Sequence, residues 1–517
     1  MTSKFRKSLA LIAKFVLLAI TVGILGNMAY LAYLANEGLM GTVLAVLAVG
    51  AILIYSTPRF TASKFFYPGI IFLLLFVITP VIYTAVMSTY NYKDGNLITK
   101  DQALTQLIDV TGIVPDESGV SYEYIPGRCK GELAMLLKNI DTEEVSLACD
   151  SRVTPLAEGQ YTIDEFGVPT GAEGFTAFVG DEQFAYDEEI ANLKFKIEDP
   201  AADNRYIRAD GAGMAFDAIQ TLTYDAEKDE LYNTVNGLTY VNNGNGNFVN
   251  PNNPDEKIFP GWRQLNPAQN YAKILTDPVL RDPFIRVFIW TIVFAFTTVV
   301  MMGFVGLLVA VALDKRIRFR NIYRGLLILP YAMPSFMSIL IWAGMFNRDY
   351  GAINTLFGTD LDFFNNPWSA RAMLLIVNLW LGFPYFYMIS TGALQALPTD
   401  LEEAAALDGA TEKQIFFRIK MPLVLQILSP LLIASVAFNF NNFNLVYLLT
   451  KGGPTNVLDG ETAGATDILI TYAYKTAFAG AEQNLGLASA ISVIVFIIVG
   501  IVSLWSLKRS KVLEEVR

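Results

Sequence analysis

Eight stretches of the chain, near residues 15–35, 39–57, 66–90, 284–313, 322–346, 371–396, 424–449 and 485–507, are apolar for about twenty residues or more. At about 1.5 Å per residue, a helix of that length crosses a hydrocarbon core of about 30 Å. The pattern predicts eight transmembrane helices, three within residues 1–90 and five within residues 278–517. Between the third and fourth lie residues 91–277, where long apolar runs give way to short β-leaning runs such as FTAFVG and LKFKI, turn clusters such as NNGNGN and acidic stretches. That texture predicts a mixed, strand-containing domain inserted into an all-α polytopic membrane protein. After it, NPAQNYAKILTDPVLRDPF reads as a surface helix leading into the fourth span. The basic start and apolar run at the N-terminus resemble a signal peptide. The run is too long and the second span comes too soon after it for cleavage to be expected.

Composition agrees: 53% of the 517 residues are hydrophobic. The net charge of −11 is unevenly spread, because residues 91–277 hold 32 of the 49 acidic and 14 of the 38 basic residues. That insertion is therefore −18 and the remainder +7, as expected for a water-exposed domain joined to a membrane core. Both cysteines, Cys129 and Cys149, fall inside it. They can pair in a disulfide if the domain faces an oxidising compartment, or remain two buried thiols. The chain has no histidine, which excludes histidine catalysis, imidazole metal ligation and a histidine pH sensor.

Orientation is set by the basic residues of the short connections. Lys4, Arg6 and Lys7, then Arg59 and Lys64, then DKRIRFRNIYR at 314–324, then Lys413, Arg418 and Lys420, and finally LKRSK all fall on one side if there are eight spans. That side is the cytoplasm, which holds both termini, and residues 91–277, 347–370 and 450–484 face outward. A miscount of one span would scatter these charges to both sides.

No span carries Asp, Glu, Lys or Arg near its centre, which argues against an ion-coupled carrier of the carboxylate-relay type. There is also no G-x-x-x-x-G-K-[ST] phosphate loop, so energy for uphill transport must come from another chain. The sixth and seventh spans contain amides and aromatics instead, in VNLWLGFPYFYM and SVAFNFNNFNLVYLL. Asn378, Asn439 and Asn442 all lie roughly 10 to 15 Å below the outer boundary. A lone asparagine reads as interhelical glue worth ~0.6 kcal/mol. Five amides (Asn378, Asn439, Asn441, Asn442, Asn444) among Tyr385, Phe438, Phe440 and Phe443 read better as a site for a neutral polyhydroxylated ligand. Amides donate to and accept from hydroxyls, and aromatic faces cover the C–H patches of a sugar ring. Gly382, Pro384, Pro330 and Pro334 would loosen the helices beside it.

Between these two spans, LPTDLEEAAALDGATEKQIFFRIKMP reads as two short helices. Thr399 with Glu402, and Thr411 with Gln414, have capping-box spacing. Asp408-Gly409 separates the helices, and Pro422 is expected to limit the second. Small Ala404 and Ala405 beside Glu402 and Glu403 suit a helix inserted into a protein cleft better than one lying on an anionic lipid surface.

At these residues the chain resembles a known family. Glu403-Ala404-Ala405, three residues, Gly409, nine residues, then Ile419-Lys420-Met421-Pro422 is similar to the EAA loop of binding-protein-dependent ABC importer permeases, with Met421 in place of the usual leucine. ILPYAMPSF, VNLWLGFPY, AFNFNNF and LLTKGGP, together with the insertion between the third and fourth spans, resemble the larger membrane subunit of the maltose/maltodextrin importers. The resemblance is plain over about 284–507 and looser before. It implies a type I ABC importer permease fold, with loop 399–422 docking into an ATPase through Glu403, Ala404, Ala405, Asp408 and Gly409. It implies sugar contacts at Tyr331, Ser335, Asn378, Leu381, Gly382, Tyr385, Ser435, Phe438, Asn439 and Asn442. The implied partners are a smaller permease subunit, two ATPase subunits that bind ATP-Mg, and a periplasmic maltose-binding protein, in the bacterial inner membrane. The chain itself would hold no cofactor and would not be an enzyme. An ATP-independent carrier leaves the loop without a role, and a membrane-anchored sensor needs only two spans; a permease for another neutral oligosaccharide is the nearest rival.

Overall fold

The computed structural model describes residues 3–509 apart from 36, 58–59, 117–118, 166, 184, 198–203, 211–212, 315–317, 456–462 and 480–482. Arg59, Lys315, Arg316 and Lys511 of the basic clusters lie outside the described residues. The chain forms two units: Met1–Thr89, Ala268–Gly480 and Leu485–Arg517 make one, Tyr90–Pro267 with Ala481–Asn484 the other. The insertion thus ends ten residues before the expected boundary at 277. The reason is packing: in the helix Gln269–Thr276, Ile274 is buried with Phe284 and Tyr472 of the membrane unit.

In the membrane unit, seven helices are long and apolar enough to cross a bilayer, among the described residues. They are Leu11–Leu34, Gly38–Ser56, Thr61–Met87, Pro278–Ala312, Pro367–Gln395, Glu412–Phe440 and Leu485–Leu504. The expected fifth span is instead two helices, Arg320–Ala332 and Ser335–Met345, bent by 94°. Pro334 offers no N–H, and Met333 before it is extended (ψ 143°), the conformation a following proline imposes. Counted as one broken span, the pair makes eight. The expected seventh span, 424–449, also differs. Its helix ends at Phe440, opens at Asn441 and Asn442, and a new helix runs Phe443–Thr450.

The fourth and sixth spans form the centre. Their backbones approach closely at Gly306, where a Cβ would lie 2.6 Å from that of Phe386, and at Gly382, where it would strike Met302. Trp290, Phe294, Met373, Leu374 and Val377 bury one seam of this pair with Leu445 and Val446. The first two spans pack through Leu25, Ala29, Leu44, Leu47 and Ala48. At the end of the third span, Ser88 Oγ lies 2.7 Å from Tyr271 Oη, and Asn270 Nδ2 donates to the Ser88 carbonyl at 2.9 Å. This clasp ties the two points between which the insertion leaves and re-enters the membrane unit.

The inserted unit is built on strands β1 (Ser121–Cys129), β2 (Glu132–Asn139), β3 (Val145–Cys149), β4 (Arg152–Pro155), β5 (Phe195–Lys196), β6 (Arg205–Ala209) and β7 (Met214–Gln220). Each pairs with the next, β4–β5 in parallel and the others antiparallel, and β7 pairs back to β1, so the seven close into a ring. Alternation along β2 splits its side chains between two cores. Met135 and Leu137 join Ile207 and Ala215 in one, and Ala134 and Leu136 join Phe175 and Val145 in the other. A separate five-stranded antiparallel sheet spans Leu222–Asp225 to Asn253–Ile258 and buries Leu231, Phe248 and Trp262.

Cys129 and Cys149 are joined in a disulfide, with Cα atoms 6.0 Å apart, at one end of the β1–β2–β3 meander. Closing a loop of sequence separation 20 contributes about 3 kcal/mol in the chain-entropy account. Reducing the bond, or replacing both cysteines by serine, should therefore speed proteolysis within residues 121–155 of the intact chain. Equal cleavage rates with and without reductant would show that the bond adds no stability.

Candidate functional site

A cavity of about 620 Å³ opens between the broken fifth span, the sixth and the seventh. It gathers all ten residues that the resemblance carries over. Tyr331 and Ser335 come from either side of the 94° bend, and Asn378, Leu381, Gly382 and Tyr385 from the sixth span. Ser435, Phe438 and Asn439 come from the seventh, and Asn442 from its opening. Asn444 also lines the cavity, but Asn441 does not; it faces a separate small groove with Ser492 and Phe496. Phe440 is buried in the packing with Phe284, and Phe443 stacks on Tyr447 at 5.0 Å, so neither of these expected aromatics reaches the cavity. Apolar length predicts one continuous helix here, whereas the helix ends at Phe440 and a new one begins at Phe443. Met302 and Ile339 line the cavity without any sequence signal, since nothing in their local pattern differs from ordinary packing positions.

The amides form one cluster. Asn378 Nδ2 donates to Asn439 Oδ1 at 2.8 Å, and Asn439 Nδ2 donates to the Ser435 carbonyl at 2.9 Å. Asn442 Nδ2 lies 3.4 Å from both Asn378 Oδ1 and Asn439 Oδ1. Asn378 and Asn439 are buried, so these bonds are what makes two amides tolerable among apolar side chains. The residues read as interhelical glue and those of the candidate site are therefore the same. Each amide still has hydrogen-bonding capacity to spare, because an asparagine offers two donors and two lone pairs. Tyr331 and Tyr385 stack with centroids 6.4 Å apart, and their hydroxyls hydrogen-bond to no described residue. Among the described residues, no charged side chain lines the cavity. Such a surface can satisfy many hydroxyls and cover C–H faces, but has nothing to neutralise an ion.

The loop between the sixth and seventh spans is held from within. Glu402 pairs with Lys420 at 2.6 Å, tying the helix Thr399–Leu407 to the next one. Thr411 and Gln414 form the expected capping box: Gln414 N donates to Thr411 Oγ1, and Thr411 N to Gln414 Oε1 at 2.8 Å. The box expected at Thr399 is absent, because Pro398 is the N-cap and Thr399 is already helical. Gly409 has φ of 85°, a left-handed turn that favours glycine. Pro422 does not stop the second helix, which continues through a π turn at Phe416–Lys420 into the seventh span. The π turn shifts the hydrogen-bond register just before the residue that lacks an N–H. Glu403, Ala404 and Asp408 are exposed, Ala405 is half-buried, and Leu407 is 89% exposed. Leu407 is an addition from the structure; a large apolar side chain at the tip of a charged loop is the signal the sequence carries for it.

Two family descriptions match the chain. "Binding-protein-dependent transport system inner membrane component" covers residues 302–510, and "N-terminal of TM subunit in PBP-dependent ABC transporters" covers 71–148. Full-length relatives named "Maltose/maltodextrin transport system permease protein MalF" are similar throughout. The one from Vibrio parahaemolyticus is 35% identical, covering 96% of this chain and 94% of its own. That of Vibrio vulnificus is 34% identical (95% and 93%), and that of Escherichia coli 33% (94% and 94%). The chain belongs to the MalF permease family. Members of this family are ABC transporter permeases, transport components and not enzymes. The match places the cavity and the loop within the region shared by binding-protein-dependent permeases generally, since both fall inside residues 302–510.

Replacing Asn378 by Ala should destabilise the membrane unit by about 1 to 3 kcal/mol, because it strips a partner from buried Asn439 and another from half-buried Asn442. Asn441→Ala should change little. A thermal unfolding comparison in detergent checks this, and equal shifts for the two variants would return the cluster to the status of ordinary polar residues.

Proposed function

We propose that this chain is the larger permease subunit of an importer that moves maltose and maltodextrins into the cytoplasm. The observation that carries the reading is the uncharged cavity of amides and tyrosines, in a chain that aligns over 95% of its length with a maltose permease. Its partners are a smaller permease, two ATPase subunits that bind ATP-Mg, and a soluble periplasmic binding protein that delivers the sugar. The chain lies in the bacterial inner membrane with both termini cytoplasmic. That orientation is supported by the basic connections, which fall on one side once the bent pair counts as a span. A disulfide in the inserted unit supports placing that unit on the oxidising side.

The sugar sits among Asn378, Asn439, Asn442, Tyr331 and Tyr385. Its hydroxyls take up the amide groups that otherwise bond one another, and the tyrosine rings cover its C–H faces. Loop 399–422 docks into the ATPase with Leu407 as the apolar anchor and Glu403 as the free charge, Glu402 being held by Lys420. Closure of the ATPases favours the state in which the cavity faces outward, and hydrolysis releases that bias. The seventh span carries the motion, since the helix that begins in the loop is the one that carries Asn439.

Glu403→Lys should abolish uptake while the purified complex keeps its ATPase subunits or loses them only in part; normal uptake would remove the coupling role. Asn439→Ala should impair uptake without loss of assembly. The deciding experiment is ATP hydrolysis by the complex in lipid, with and without maltose plus binding protein. Stimulation supports the reading, whereas stimulation by a different neutral oligosaccharide alone keeps the permease and replaces the sugar.

A further inference from the structure

The fourth and sixth spans meet along one stripe of each helix. Gly306 lies against Phe386 and Met302 against Gly382, and Phe294 is buried in one core with Leu374. These levels share one offset along two parallel helices and are spaced by whole turns. The same offset sets Thr298 opposite Asn378, between the level of Phe294 and Leu374 and that of Met302 and Gly382. Both residues are buried, Thr298 at 0% exposure and Asn378 at 3%. Yet Thr298 Oγ1 has no hydrogen-bond partner. Thr291, two turns earlier on the same helix, returns its hydroxyl to the Val287 carbonyl at 2.7 Å, as threonines in helices commonly do. Thr298 does not. A buried hydroxyl left unpaired is destabilising, and valine would fill the same space without that cost.

We propose that Thr298 is a positioning residue for sugar binding: it is the second partner of Asn378, engaged when a sugar hydroxyl takes the place of Asn378 on Asn439. The inference rests on the sugar reading of the cavity. Asn378 Nδ2 donates to Asn439 Oδ1 at 2.8 Å, and Asn378 Oδ1 lies 3.4 Å from Asn442 Nδ2. A sugar hydroxyl that bonds Asn439 or Asn442 displaces these contacts and leaves the buried Asn378 amide short of partners. A threonine hydroxyl both donates and accepts, so Thr298 can receive either end of that amide. The change asks only for a turn about the asparagine Cβ–Cγ bond, a soft torsion with broad wells. The number of bonds is then conserved: Asn439 gains the sugar and Asn378 gains Thr298. A hydroxyl unpaired in one arrangement and paired in the other shifts the balance toward the second, which is the arrangement with sugar.

The test is thermal unfolding of the complex purified with this chain, across a titration with maltose. Thr298→Val keeps the shape of the side chain and removes the hydroxyl. Without sugar its unfolding temperature should equal or exceed the native value, because an unpaired polar group has gone. The maltose concentration that gives half of the stabilising shift should rise about fivefold, the effect of roughly one neutral hydrogen bond. Thr298→Ser should restore it. A residue that only packs would instead lower the unfolding temperature at every maltose concentration and leave the half-point where it was. Should Thr298→Val fail to assemble, Thr298→Ala against Thr298→Ser makes the same comparison of half-points, since only serine keeps the hydroxyl. An unchanged half-point overturns the proposal. So does a lower unfolding temperature of Thr298→Val without sugar, which would show that the hydroxyl already has a partner. A native complex that does not respond to maltose at all removes the sugar reading of the cavity, and this inference with it.

Discussion

Inside a bilayer the backbone can leave the helical ladder only where something other than lipid receives its polar groups. The membrane unit obeys this at both of its breaks. The fifth span opens at Met333–Pro334 and the seventh at Asn441–Asn442, and both openings border one cavity. Elsewhere the long spans run unbroken, the third and seventh with π turns that keep every residue helical. The cavity and the breaks are thus one feature. Without the space between the spans the openings would be too costly, and without the openings Ser335 and Asn442 would not turn toward that space.

The same economy governs the amides. Asn378, Asn439 and Asn442 satisfy one another, so in the proposed site a sugar hydroxyl would replace an existing bond. Exchanges between neutral hydrogen bonds contribute little net free energy, on the order of 1 kcal/mol each. A transporter benefits from this, because a site that must release its load cannot hold it with many uncompensated gains. The cavity and the loop share one element: the helix Glu412–Phe440 runs 29 residues, about 42 Å at 1.5 Å per residue, with the loop at one end and Asn439 at the other.

Much of this was legible in the sequence because apolar length and amide chemistry are local signals. The spans, the inserted strand-bearing unit and the residues of the cavity can be read from them, the last helped by the family resemblance. What escaped has a common cause. The 94° bend, the opening at 441–442 and the passage of the helix through Pro422 depend on how neighbouring residues share backbone bonds, and a proline or an Asn pair reads alike whether a helix ends, bends or continues. The capping box at Thr411 was legible, and the one at Thr399 was not real because Pro398 already occupies the cap. Closure of β1–β7 into a ring was invisible because β7 returns to β1 across some ninety residues of chain, and period-two alternation reveals a strand but not its neighbour.

The clasp of Ser88 with Tyr271 and Asn270 gives the main segment of the inserted unit, residues 90–267, a single doorway. Its entry and exit stand within hydrogen-bonding distance, so its length imposes no strain on the spans on either side. Evolution could therefore have acquired, enlarged or lost such a module without redrawing the membrane scaffold, and a protein engineer could exchange it by cutting the chain at the same two positions. Variation in the inserted unit is in this way separated from variation in the spans that line the cavity.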